Sequence, residues 1–569
     1  MRMNRTKHMF IRKVHRKAWS QGLTIFILMC SPILWLSCQK AVHIALPAEG
    51  EDATPIVREA IEKIGNGGTI TFEKGVYDFF PEKGVEIFLN PSNNTAGEKQ
   101  VCFCLEGKKH MTIEGNGSTF VFHSGCFPFA LLNSEKVELR NMKLTNKYPY
   151  VAAFQVAGKD EKGCEIEFAE NACPCHADEK GHLIFEMEDG EISTCDRKLS
   201  MHALQVLNIK YIFAGETSAN FESLAAPFVN VFATQLSPKR FRLDNLETGK
   251  PGELSEMPFG IGESVVMNLL ENRDKDVIFV NNSRGVHLKN VHIARGGGMG
   301  MIAQMSEDIR LDSCQIVPEE GEDVSVTADM LMLVNCAGTL EVANCRMGCS
   351  LDDAMNIHGN YTIVEEFHEN QLELKVGHQD HRYFFPYRTG DSLEIVEQHN
   401  RKVLAKTRVE SLPKISEDGW TAHLVVSKIE GEMQEGSLVE NITTYPDVYI
   451  HDCEFFQFPH TRLSGRGHYR IEGNRYEHCA AALLSFDLAD FWYEAGRLSE
   501  MEILNNTFVD CNAMSGANAF LQFGISGWGA NDPNTPKIHD KVYLKGNKYK
   551  GLNGNKYSVC GVQNFHDED

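Results

Sequence analysis

Asp329, Asp352 and Asp353 are the residues of this sequence whose type and spacing best suit chemistry. Asp329 stands at the polar start of the run Met-Leu-Met-Leu-Val, and the Asp352-Asp353 dyad at the start of Ala-Met-Asn-Ile. The lone aspartate and the first of the dyad are 23 residues apart, which matches one unit of the repeat described below. Carboxylates gathered that closely repel, and at least one should keep its proton at neutral pH. An acid that protonates a leaving oxygen and a base that activates water are what glycoside hydrolysis requires. Two other readings use the same residues. The dyad can cap a turn at a coil corner, or the three side chains can form a calcium site of the kind a polysaccharide lyase uses.

Positioning such groups requires a regular scaffold, and the sequence carries one. The pattern apolar-x-apolar-x-x-[Asn, Cys or apolar]-x-apolar begins at Met111, Val137, Val286, Ile309, Leu340, Val448, Tyr469, Met501 and Val542. Its first and third positions alternate like a strand with one buried face. Where nothing intervenes, the starts are spaced by 23 (286 to 309), 31 (309 to 340) and 21 (448 to 469) residues. Such a period implies a solenoid, and strand-rich units make it a parallel β-helix with coils stacked ~4.8 Å apart. The expected fold class is all-β: a right-handed parallel β-helix with inserted small antiparallel β-barrel domains. Cys314, Cys345 and Cys453 share the sixth motif position with Asn116, Asn474, Asn506 and Asn547, so they read as corner residues rather than reactive thiols.

The strands preceding the motif carry the chemistry. Gly298 to Gln304, Asp329 to Asn335, Asp352 to His358 and His460 to Arg466 each run six residues between polar ends. This alignment makes Asp329 and Asp352 direct neighbours on adjacent coils, with Asp353 beside them. Gln304, Asn335, His358, Arg462 and Arg466 project from the same or adjacent strands and are candidates for binding sugar hydroxyls, with Asn335 and His358 equally readable as corner residues.

Thr54 to Ile64 reads as an amphipathic helix with Thr54 as N-cap and Pro55 behind it. The Gly-rich turn and strand that follow complete a cap over the open end of the coil stack. Residues 147–275 and 361–445 lack the motif but alternate like strands, and both contain Gly-[Glu/Asp]-Ser-[Val/Leu], at Gly262 and Gly390. They are expected to be two related antiparallel barrels. The chain then divides into an export segment over 1–37, a cap and first coils over 39–146 and an inserted barrel over 147–275. The aspartate-bearing coils over 276–360 follow, then a second barrel over 361–445 and closing coils over 446–569.

The 569 residues carry a formal charge of −22, with 42% hydrophobic and 24% charged residues. Those proportions suit a globular protein. The acidic balance, with no basic stripe after the first 20 residues, excludes nucleic acid as a main partner. Arg2, Arg5, Lys7, Arg12, Lys13, Arg16 and Lys17 precede an apolar run from Leu23 to Leu36, interrupted by Pro32 and too short for a membrane span. This is an export signal. Leu36-Ser37-Cys38 is similar to a bacterial lipobox, which implies lipidation of Cys38 and membrane contact through that anchor alone; ordinary signal cleavage near Ser37 is the alternative. The cluster Cys164, Cys173, Cys175 and Cys195 fits no common zinc module, leaving disulfides, free thiols or a metal site open.

A lone aspartate one coil before an Asp-Asp dyad resembles the catalytic set of β-helix polygalacturonases, although the Gly-His-Gly and Arg-Ile-Lys elements of those enzymes are absent here. The helix, Gly-rich turn and strand of the cap resemble pectate-lyase-like proteins. With the two insertions and the segment Cys349-Ser-Leu-Asp-Asp-Ala-Met-Asn-Ile-His358, the whole chain is most similar to glycoside hydrolase family 110, the bacterial α-1,3-galactosidases. That resemblance implies removal of terminal α-1,3-galactose from blood-group-B-type or Galα1,3Gal glycans, with inversion and without a metal or other cofactor. It implies Asp352 as general acid, and Asp329 with Asp353 as holders of the attacking water. A metal-dependent lyase and a non-catalytic glycan-binding lipoprotein are the alternatives. The barrel over 361–445 is expected to overhang the dyad and close one end of the groove; its Tyr383, Phe384, Phe385 and Tyr387 read first as barrel packing, with stacking on the sugar's apolar face as the alternative.

Overall fold

The computed structural model describes residues 40–569 apart from 189, 194–203, 208–230, 246–259, 263, 270–272, 512–518, 530–531 and 552–553. The export segment, Cys38 and Cys195 lie outside the described residues.

The repeat folds as its alternation dictates. Met111 pairs with Val137, Val286 with Ile309, Ile309 with Leu340 and Leu340 with Val448. Val448 then pairs with Tyr469, Tyr469 with Met501 and Met501 with Val542, every pairing parallel. The motif starts therefore form one continuous row on one sheet of a parallel β-helix, and Leu139 paired with Leu288 joins the first coils to the later ones. The apolar first and third positions point inward and build one core along the axis.

The sixth position holds the corner. The side-chain amide of Asn506 donates to Ile471 O at 2.8 Å, and its Oδ1 accepts from Asn474 N at 2.9 Å. Asn474 and Asn547 repeat the arrangement one coil away on either side. The Cys345 and Cys453 thiols donate to Ala343 O and His451 O in the same place. These are ways of satisfying buried backbone groups at a turn. Asn116 departs from the row: it is exposed, on a bulge between Glu114 and Ser118.

A second parallel sheet carries the aspartates. Met301 pairs with Leu331, Leu331 with Met355 and Met355 with Thr461. Continued two residues back, this register sets Asp353, not Asp352, against Asp329, and Met330 N donates to Asp353 O at 2.9 Å as that register requires. The expected alignment is thus one residue out. A one-residue slip would turn every side chain of the strand to the other face, and Leu331, Leu333, Met355 and Ile357 all belong inside.

The helix Thr54–Ile64 covers the first coil with Val57, Ala60, Ile61 and Ile64. Its N-cap is Ala53 rather than Thr54, whose hydroxyl donates instead to Phe80 O at 3.1 Å. In the first insertion, six antiparallel strands form a sheet whose edge strands, Leu204–Leu207 and Val231–Ser237, do not pair with each other among the described residues. Closure of the expected first barrel is therefore not seen among the described residues. Cys164, Cys173 and Cys175 are free thiols packed in or against its core, and burial raises Cys173 to about 11 and Cys175 to about 12. The second insertion does close. Its strands pair in the order Thr421–Val425, Gln371–Val376, Met355–His368, Leu438–Asn441, Ser392–Val396 and Val403–Arg408. A bridge from Val409 to Val426 completes the ring. Met355–His368 is a single strand that begins in the coil bearing the dyad and ends in this barrel.

Candidate active site

The coil register brings Asp329, Asp352 and Asp353 together, with one carboxylate oxygen of each within 4.8 Å of the others. Asp329 and Asp353 are buried, and Asp329 Oδ2 has no hydrogen-bond partner. The Asp352 side chain is the most open of the three, at 23% exposure. Burial, reinforced by the charges of Asp352 and Asp353, pushes the Asp329 carboxyl well above the usual range, with Arg273 opposing. Burial also raises Asp353, against the pull of His460 and Arg462.

Cations and a fourth carboxylate ring the trio. Arg273 Nη1 donates to Asp352 Oδ2. His460 Nδ1 is 3.1 Å from Asp353 Oδ1, and Arg462 Nε is 3.6 Å from Asp353 Oδ2 and 3.7 Å from Glu494 Oε2. Glu494 is buried and reaches the site from the hairpin after Asp487, where its Oε1 accepts from Asn93 Nδ2 at 3.0 Å. That hairpin is seated on the barrel: the Tyr493 ring lies so close to Gly377 that a Cβ there would be 2.1 Å from it. His381 of the barrel meets Asn93 Oδ1 at 3.0 Å. Three segments distant in sequence therefore wall the aspartates.

Of the expected sugar-binding residues, Arg462 stands at the site. Gln304 does not: it is buried, accepting from Ser92 N and donating to Asn90 O. Asn335 is buried between Thr444 and Asn360 N. His358 is fully buried behind Glu494, its Nε2 3.6 Å from Glu494 Oε1. Arg466 is held by Glu440 and Glu394, away from the aspartates. Gln304 and Asn335 thus have their side-chain amides engaged inside the protein, whereas His358 Nε2 has no hydrogen-bond partner and Arg466 keeps 22% side-chain exposure. Among the aromatic candidates, Phe384, Phe385 and Tyr387 are buried packing residues, and Tyr383 lines a cleft.

Sequence reasoning missed Arg273, Glu494, His460 as a partner of Asp353, and Asp276. Asp276 is wholly buried, receives Met299 N and Asn94 Nδ2 at 2.8 Å each, and is raised by burial to about 7. Arg273 and Glu494 lie on connections outside the repeat, where no spacing rule applies. The polar run Arg273-Asp-Lys-Asp276 directly before the apolar Val277-Ile-Phe-Val was the available signal.

Clustered carboxylates, two of them buried, flanked by arginines on a coil stack fit a carbohydrate-active β-helix enzyme. Comparison with known proteins narrows the class. The chain is 26% identical over 521 residues to alpha-1,3-galactosidase A of Shewanella woodyi, covering 89% of this chain and 81% of that protein. It is 26% identical over 472 residues to alpha-1,3-galactosidase B of Bacteroides thetaiotaomicron, covering 81% and 74%. No family model matches. Among solved structures, an exopolygalacturonase from Thermotoga maritima aligns with a TM-score of 0.38 and 10% identity, over 90% of this chain and 82% of that one. The chain is a homologue of proteins named alpha-1,3-galactosidases, and it is a glycosidase.

Proposed function

We propose that this glycosidase removes terminal α-1,3-linked galactose from Galα1,3Gal or blood-group-B-type glycans, acting from the chain end and without a metal. The observation that carries the reading is the meeting of three aspartates from adjacent coils, in a chain whose relatives bear that name. Asp352, the most open, protonates the leaving oxygen, and Asp329 with Asp353 holds the attacking water, giving inversion. Arg273 and Arg462 already place positive charge on these carboxylates. A divalent cation would have to displace Arg273 from Asp352, which supports metal independence.

The closeness of the carboxyl groups favours a second reading. Oxygens within 4.8 Å fall short of the ~6.5–9.5 Å that separates inverting pairs and suit a retaining pair. In that case Asp329, whose proton burial retains, is the acid, and Asp352 attacks the anomeric carbon.

One incubation separates these outcomes: a Galα1,3Gal-terminated oligosaccharide with chelator, followed by proton NMR. β-Galactose appearing first means inversion, and α-galactose first means retention. Binding without release identifies a glycan-binding protein, and activity confined to uronides with calcium identifies a lyase. Cell-envelope attachment through a lipid on Cys38 belongs to the same proposal. Cys38→Ser should move the protein from the membrane to the soluble fraction, and unchanged membrane retention would remove the anchor.

A further inference from the structure

A cleft of about 310 Å³ is lined by Phe88, Asn94 and Thr95 together with Asp380, Arg382 and Tyr383 of the barrel. We propose that this cleft binds the leaving portion of the substrate, a neutral pyranose on the far side of the scissile bond. The inference rests on the galactosidase reading and adds to it the side from which the rest of the glycan enters.

Position is the first argument. None of the three aspartates lines the cleft, so the sugar being cleaved is not the one it holds. Yet one residue joins the two places. Asn94 Nδ2 donates to Arg273 O at 2.7 Å, while the Arg273 guanidinium binds Asp352. A single residue, Arg273, thus links the cleft lining to the aspartate that, as proton donor, must face the leaving oxygen.

Lining chemistry is the second. Asp380 offers a partly open carboxylate that accepts from hydroxyls, at 31% side-chain exposure. Arg382 offers a guanidinium, and the Tyr383 and Phe88 rings meet edge to face at 5.3 Å. A pyranose presents hydroxyls at its rim and C–H bonds on its faces, which these groups match. One acid and one base leave no excess charge to select a uronate. The volume is at the lower end of ligand pockets, ~300–1,000 Å³, enough for one sugar and too small for a polymer.

Strain is the third. Tyr383 has φ 67°, a left-handed conformation that costs a bulky residue ~1–3 kcal/mol and persists only where the surroundings enforce it. Gly419 makes room for the side chain, since a Cβ at that position would lie 2.5 Å from the Tyr383 ring. The ring is thereby seated at the cleft wall.

The test compares two substrates in the full chain: Galα1,3Galβ1,4Glc, whose leaving group fills the cleft, and α-galactosyl fluoride, whose leaving group needs neither a sugar site nor a proton. Asp380→Ala should lower kcat/KM on the trisaccharide by about tenfold or more and change the fluoride reaction by less than about twofold. Tyr383→Ala should do the same, with its Tm measured because the residue is also packed. Equal loss on both substrates, or no loss on either, would overturn the inference. A wild-type protein inactive on both would instead overturn the galactosidase reading.

Discussion

The three aspartates have carboxylate oxygens within 4.8 Å of one another, yet each is held differently. Asp352 carries an arginine, Asp353 a histidine with a second arginine nearby, and Asp329 is raised by burial and the charges of Asp352 and Asp353 more than Arg273 lowers it. Burial and the neighbouring carboxylates therefore raise the Asp329 carboxyl in the unliganded site. Removing any of the three carboxyls should cost ~10²–10⁴ in kcat while the fold survives, as measured by galactose release and circular dichroism of Asp329→Asn, Asp352→Asn and Asp353→Asn. Near-normal turnover in one variant takes that residue out of the mechanism. Stability should move the other way for Asp329. Its raised carboxyl favours the folded state fully only below the unfolded pKa of about 3.9, and that advantage is lost as pH rises toward the folded value. Asp329→Asn removes this loss, so its Tm should exceed that of the wild type, with a larger gain at pH 8 than at pH 5. A gain that shrinks with pH would show that Asp329 is ionised in the folded protein.

At the scale of the coils, the sequence was most legible where chemistry was least demanding. The nine motif starts lie in one row because a buried strand face imposes a period of two that any reader of Val-x-Leu or Tyr-x-Ile can follow. The site strands were legible only to one residue: counting from the first polar residue of the dyad paired Asp352 with Asp329. Counting from the inward-facing Leu331 and Met355 gives the observed register. Arg273 and Glu494 were not legible, because loops obey no period and their approach to the aspartates depends on packing between segments hundreds of residues apart. The corner asparagines offer a check on how separate scaffold and site are. Asn506→Ala would leave the Asn474 N–H and the Ile471 carbonyl unpaired in the core, a loss of ~1–3 kcal/mol. It should lower Tm and leave kcat per folded molecule unchanged, and a fall in kcat at constant Tm would mean that the ladder transmits strain to the site.

The whole molecule gives a reason for a solenoid to carry a barrel. A bare β-helix presents a long shallow groove suited to polymers, whereas release of one terminal sugar needs an enclosed pocket. Here the strand Met355–His368 leaves the dyad coil and enters the barrel without a break, so the barrel's position is fixed by the same backbone that positions Asp353. The barrel then meets the hairpin bearing Glu494 through Gly377 and Tyr493, and the loop bearing Asn93 through His381. These contacts gather three segments beside the dyad coil, where a polymer would have to continue past the aspartates. Cleavage should therefore proceed from the terminus alone. On a glycan that carries both a terminal and an internal α-galactosyl link, free galactose should be the sole early product by chromatography. Oligosaccharides from internal cleavage, appearing before the terminal residue is exhausted, would mean that the groove is open past the barrel.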